Sequence, residues 1–198
     1  MIFNFTKDFQ FSTRLYLENT LLEIVNETKL LGTIISSDLK WTQNTDMLVK
    51  KGYQRMLILH KLFSFKVQPS DLVNTYVLYI RSILEQCCQV WHFSITKEEI
   101  SDLERVQKVA CRIILQEDYV SYEQALEELN LQTLYERRDK LCLKFAKRCV
   151  NHPKASNMFP VNTASKNHNK YPVQFGRHSR LLDSSIPQMQ RALNADAS

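Results

Sequence analysis

Adjacent carboxylates are the first candidates for chemistry in this sequence. They occur three times, as Glu98-Glu99, Glu117-Asp118 and Glu127-Glu128. Paired acids can hold two divalent metals at a reacting phosphate. All three pairs fall in helical or helix-end contexts, where a solvent-facing acid is the simpler reading. Cys142, Cys149 and His152 stand seven and three residues apart, near one face of a helix. Three ligands without a fourth, and no Cys-x-x-Cys, fall short of a zinc site. Cys142, Cys149 and the Cys87-Cys88 pair read more simply as small core residues. Serine, histidine and aspartate are present without a Gly-x-Ser-x-Gly elbow, and no glycine-rich phosphate loop or dinucleotide fingerprint occurs. No catalytic residue, metal ligand or cofactor is therefore assigned.

The remaining chemistry is cationic. Lys50, Lys51, Arg55 and Lys61 lie in one prospective helix, and Arg137, Arg138, Lys140, Lys144, Lys147 and Arg148 in another. Such residues suit sequence-independent, salt-sensitive contact with a phosphate backbone. Phe175-Gly176-Arg177-His178-Ser179-Arg180 adds an aromatic among basic residues, which suits stacking on a single strand. The net charge of +5 permits such a partner, and its distribution says more. Residues 40–66 carry six cations and one acid, residues 97–131 four cations and nine acids, and residues 132–150 six cations and two acids. The plainer alternative is that each run is a solvated face, with the basic helices pairing to the acidic one.

These residues need elements to hold them. Residues 1–37 read as strands: Phe3, Phe5, Phe9 and Phe11 alternate, Arg14–Glu18 and Leu21–Val25 flank a turn at Asn19-Thr20, and a strand over Lys29–Ser36 follows. From Trp41 the period becomes helical. The first helix has a stripe of Val49, Tyr53, Met56, Leu57, His60 and Phe63. Pro69-Ser70-Asp71 starts a second, whose stripe from Val73 to Trp91 marks the central core helix. A third carries Ile100, Leu103, Val106, Ala110, Ile113 and Ile114. Ser121 with Gln124 and Thr133 with Glu136 cap two more, ending near Leu129 and Val150. The last has a stripe of Leu134, Leu141, Cys142, Phe145, Cys149 and Val150. Prolines and polar residues after Asn151 predict an extended or poorly ordered basic tail, residues 151–198, with a short terminal helix over Ile186–Leu193. The expected class is mainly α. It comprises a small antiparallel sheet of about three strands over 1–40, about five helices over 41–150, and an irregular tail.

Five cysteines, no signal peptide and no apolar run of spanning length predict an intracellular protein of the nucleus or cytoplasm, with reduced thiols and no membrane contact.

Several motifs occur in a family's order. They are Lys29-Leu30-Leu31-Gly32 with Asp38-Leu39 and Trp41, then Tyr79-Ile80-Arg81-Ser82-Ile83-Leu84-Glu85 with Val90-Trp91. Next come Leu103-Glu104-Arg105-Val106-Gln107-Lys108 with Ala110, then Ser121-Tyr122-Glu123 with Leu126, Leu129, Leu131, Leu134 and Arg137-Arg138. Phe175-Gly176-Arg177, Ser185-Ile186-Pro187 and Arg191–Asn194 close the set. The ordered set resembles the end of the palm and the thumb of reverse transcriptases from non-LTR, LINE-type (jockey-like) retrotransposons. In this sequence Leu30 stands for the family's aromatic, Ser82 for its proline and Gln86-Cys87 for its Tyr-Gly.

The resemblance implies residual palm strands over 1–40 with a primer-grip-like site at Lys29, Leu31 and Gly32. It implies a helical thumb over 41–150 that binds an RNA/DNA template–primer duplex. Lys50, Lys51, Arg55, Lys61, Arg137, Arg138 and Lys144 are the expected contacts. The family's aromatic-Ala-Asp-Asp is absent from the sequence, so the resemblance implies a piece that begins downstream of the catalytic residues. Such a piece is not an enzyme by itself. It holds no cofactor, although the parent polymerase would need magnesium, and its partners would include the missing palm and fingers. A non-catalytic helical protein-interaction module is the alternative.

Overall fold

The computed structural model describes residues 14–162, 170–173 and 179–196. The phenylalanine alternation at Phe3–Phe11 and the Phe175–His178 segment lie outside them. The N-terminal apolar runs turn back on themselves at two-residue loops. β1 (Tyr16–Leu17) pairs antiparallel with β2 (Thr20–Leu21), and β3 (Glu27–Leu30) with β4 (Thr33–Ser36). The loop residues Glu18, Asn19, Leu31 and Gly32 have φ of 46°, 64°, 49° and 87°. Two successive positive φ values make the I′-type turn whose twist matches that of a hairpin. Among the described residues the expected small sheet of about three strands is two separate two-stranded sheets, and the expected Lys29–Ser36 strand folds in half at its glycine. Asn44 Oδ1 accepts from Ile34 N–H at 3.1 Å and ties β4 to the first helix.

α1 (Thr42–Ser64) follows Trp41, itself buried at the helix start. Its inward line is Thr45, Leu48, Gly52, Met56 and Leu59, rotated from the expected stripe, with which it shares only Met56. Leu57 is 66 % exposed. Hydropathy misses this face because Gly52 and the polar Asn44 and Thr45 belong to it. A Cβ on Gly52 would stand 2.9 Å from Val106 Cγ1. The glycine therefore sets how closely α1 lies on α5 (Lys97–Leu115).

The expected central helix is not continuous. α2 (Pro69–Thr75) runs into a π-helix (Tyr76–Arg81) and α3 (Ser82–Leu84), then stops. The π-turn widens the ladder and frees carbonyls: Tyr79 O accepts from Arg55 Nη1 and Leu78 O from Ser82 Oγ. Cys87 sits in left-handed space at φ 52°, and the chain restarts as α4 (Cys88–Trp91). The break is satisfied from within, since Trp91 Nε1 donates to Gln86 O at 3.0 Å.

α5 begins with a full capping box of Thr96 and Glu99, a signal of the same form as those at Ser121 and Thr133. α6 (Tyr122–Glu128) and α7 (Leu134–Val150) start at those predicted caps. A short α8 (Ser179–Leu182) precedes α9 (Ser185–Asp196). α9 is longer than the expected terminal helix and packs on α7, with Met189 and Leu193 in the core. The tail is therefore partly built in: Phe159 and Tyr171 are buried, and Asn194 pairs with both backbone groups of Tyr171 at 2.8 and 2.9 Å.

Candidate nucleic-acid interface

α5 packs against α1 on one side and α7 on another, so the two basic helices flank the acidic one. Among the described residues no ion pair joins either basic helix to the acidic one. Lys50, Lys51, Lys61, Lys140, Lys144 and Arg148 have no ion-pair partner among the described residues; the ion pairs lie elsewhere. On α7, Arg137, Lys140, Lys144 and Arg148 recur at steps of three, four and four, which aligns them on one face. The buried residues Leu134, Cys142, Ala146 and Cys149 define the opposite face. Lys147 is diverted to Asp196 at 2.6 Å. On α1, Lys50 and Lys61 point away from the core and Lys51 lies at its edge.

Two predicted contacts, Arg138 and Arg55, are placed differently. Arg138 is fully buried, because its position on α7 falls one turn from Leu134 and one from Cys142, on the core face. Its Nε donates to His92 Nδ1 at 3.2 Å and its guanidinium lies 5.6 Å from the Trp91 ring. It cannot reach a phosphate. Arg55 is committed to Tyr79, by its carbonyl and by its ring at 4.2 Å. Arg137 is half-exposed and pairs with Glu85 at 2.9 Å.

Lys29 is exposed on β3, and Leu31, at the hairpin tip, is 85 % exposed. Gly32 answers two demands: a φ of +87° and the close approach of Gln86, whose Nε2 donates to Leu31 O at 3.1 Å. Cys142 Sγ lies 3.8 Å from Cys88 O, and both thiols are buried, while His152 is exposed. The candidate trio of Cys142, Cys149 and His152 is not brought together: among the described residues no cluster of such ligands forms.

Glu104, Gln107 and Tyr122 stand in the quoted motifs, but nothing in the sequence marks them, with Tyr76 and Gln132, as one polar network of the interior. Tyr76 OH donates to Gln107 Oε1 at 2.5 Å, and Gln107 Nε2 donates to Tyr122 OH at 2.8 Å and to Gln132 O at 2.9 Å. Tyr122 OH donates to Glu104, which also accepts from Leu134 N–H at 3.1 Å. Burial is the main reason both phenols are pushed well above the ordinary tyrosine value, so both remain donors. Helical spacing gives a local signal for two of the ion pairs, Arg81 with Glu85 at i,i+4 and Asp102 with Arg105 at i,i+3.

His92 is buried and held from both sides. Nδ1 accepts from Arg138, so the proton sits on Nε2, which donates to Asp139 Oδ1 at 2.9 Å. Burial holds its pKa below 6.5; the Asp139 bond opposes this and Arg138 reinforces it. The unfolded chain therefore binds this proton more readily than the folded one. Stability is full above about pH 6.5 and falls as the pH drops through and below it, until the folded imidazole also protonates. The urea midpoint should be lower at pH 5.5 than at pH 8, by more than in His92→Gln. Equal shifts in both proteins would remove His92 from the acid response.

No family model matches the sequence, and no curated protein or solved structure matches it. No helix among the described residues is long and apolar enough to cross a membrane.

Proposed function

We propose that this chain is the thumb-like part of a LINE-type reverse transcriptase and that it binds template–primer nucleic acid without catalysing synthesis. The observation that carries the reading is the convergence of the motif segments. Gln86, just past the second motif, bonds Leu31 of the first. Glu85 of the second pairs with Arg137 of the fourth, and Glu104 and Gln107 of the third bond Tyr122 of the fourth. Trp91 faces Arg138. Cys87, where the family pattern has glycine, sits at φ 52°, a conformation glycine adopts without strain. These residues act as fasteners, so their spacing would persist in a thumb whatever its surface does.

Binding is assigned to the cations left without partners, Lys50, Lys51 and Lys61 on α1 and Lys140, Lys144 and Arg148 on α7. Contacts of this kind set residence time and carry no sequence choice. The chain should bind a short RNA–DNA hybrid at low salt, with log K falling linearly in log salt. Lys50→Ala, Lys51→Ala and Lys144→Ala together should flatten that slope by roughly 2–3, about 0.9 for each phosphate no longer neutralised. Failure to bind the hybrid at low salt would exclude this function and leave the protein-interaction alternative. No primer extension is expected from the chain alone.

A further inference from the structure

Arg81 and Arg137 meet on one carboxylate. Arg81 Nε lies 3.4 Å and Arg137 Nε 2.9 Å from the same Glu85 oxygen. Arg137 Nε donates a hydrogen bond to that oxygen, whereas Arg81 Nε, buried and without a hydrogen-bond partner, stands at ion-pair distance only. The Nη nitrogens of both have no hydrogen-bond or ion-pair partner among the described residues, and none is buried. The Arg81 and Glu85 side chains are 13 % exposed and that of Arg137 37 %. The site is anchored inside and open at its rim. Two cations face one anion, and Glu85 is the one carboxylate acting on Arg81. Burial chiefly lowers the Arg81 pKa, Glu85 opposes this, and Arg137 adds to the lowering. An unbalanced positive charge is held there by the fold. Arg138, next in sequence, also has unpartnered Nη groups but is sealed from solvent.

We propose that Arg81 and Arg137 form a fork for one backbone phosphate of a nucleic-acid strand, with Glu85 as the anchor of both guanidinium groups. The inference rests on the nucleic-acid reading and names a subsite within it. Arg137, fixed through its Nε bond to Glu85, keeps two Nη donors in one plane, which suits the paired oxygens of a phosphate, and the charge of Glu85 holds Arg81 beside it. One phosphodiester carries the single negative charge that the triad lacks. Arg137 also opens the α7 face that continues through Lys140, Lys144 and Arg148, so a strand seated in the fork runs on along that face.

The test is binding of a fluorescein-labelled RNA–DNA hybrid to the full chain over a salt series. Arg81→Gln and Arg137→Gln should each reduce the slope by about 0.9, and the double variant by no more, because both residues hold one phosphate. Arg137→Lys keeps the ion pair with Glu85, and hence the fold, but loses the planar donors. It should keep the slope and bind about tenfold more weakly. If the glutamine variants lose their helical circular dichroism, Arg137→Lys decides alone. Wild-type slope and affinity in every folded variant would reduce the triad to a structural ion pair and overturn the fork, while binding through the lysines stands. Absence of binding by the unmodified chain at low salt would overturn both.

Discussion

Trp91→Ala is expected to cost about 3–5 kcal/mol, the range for deleting a large buried aromatic. The side chain is fully buried, and it sits where the chain restarts after the Cys87 break. Three things go at once: its volume, the indole N–H on Gln86 O, and the aromatic face against Arg138. The last two leave a bare carbonyl and a less shielded buried cation, which pushes the cost toward the top of the range. For a domain of this size each kcal/mol is worth roughly 2–4 °C in Tm. A fall of about 6–20 °C is therefore expected in a thermal melt followed by circular dichroism. Trp91→Phe keeps most of the packing and loses the N–H, and should cost about 1–3 kcal/mol. A melt of the alanine variant indistinguishable from wild type would contradict this placement of Trp91.

Gln107→Leu is expected to lower stability by roughly 2–4 kcal/mol, although leucine is apolar and similar in size. Gln107 is fully buried and uses its oxygen and both amide hydrogens, on Tyr76, Tyr122 and Gln132. Leucine satisfies none of them. The phenol of Tyr76 would be left in the interior without a partner, and the carbonyl of Gln132, an exposed residue, would lose its Gln107 donor. Because Tyr122 links Gln107 to Glu104, Gln107→Leu and Tyr122→Phe should couple. Their double-mutant cycle should show an interaction energy of at least about 0.5 kcal/mol in urea unfolding. Strict additivity would mean that the two residues belong to no common network.

Much of the helical frame is legible in the sequence because it is written in local signals. Ser121 and Thr133 mark helix starts through their own side chains, and the α5 stripe of Leu103, Val106, Ala110 and Ile113 follows one period. What is not legible is non-local. The inward face of α1 depends on Gly52 meeting Val106, which no hydropathy pattern detects. The fold of Lys29–Ser36 into a hairpin places Leu31 at positive φ, a conformation disfavoured for leucine. The break at Cys87 needs the indole of Trp91, beyond the break itself. At the candidate interface, charge alone does not separate Arg137 from Arg138. One step along α7 moves a side chain about 100° around the axis, enough to pass from the rim to the core.

The burial of Arg138 has a consequence for how the molecule assembles. Its charge is compensated first by Glu104 and, among the carboxylates, next by Glu85, which come from α5 and from the end of the α3 segment. α7 docked on α4 alone would carry that cation into an apolar seam with no countercharge, a costly state. Partly built forms of this bundle are thereby penalised. α4, α5 and α7 are forced to close together, and the helical body should form and melt as a single cooperative unit without populated intermediates.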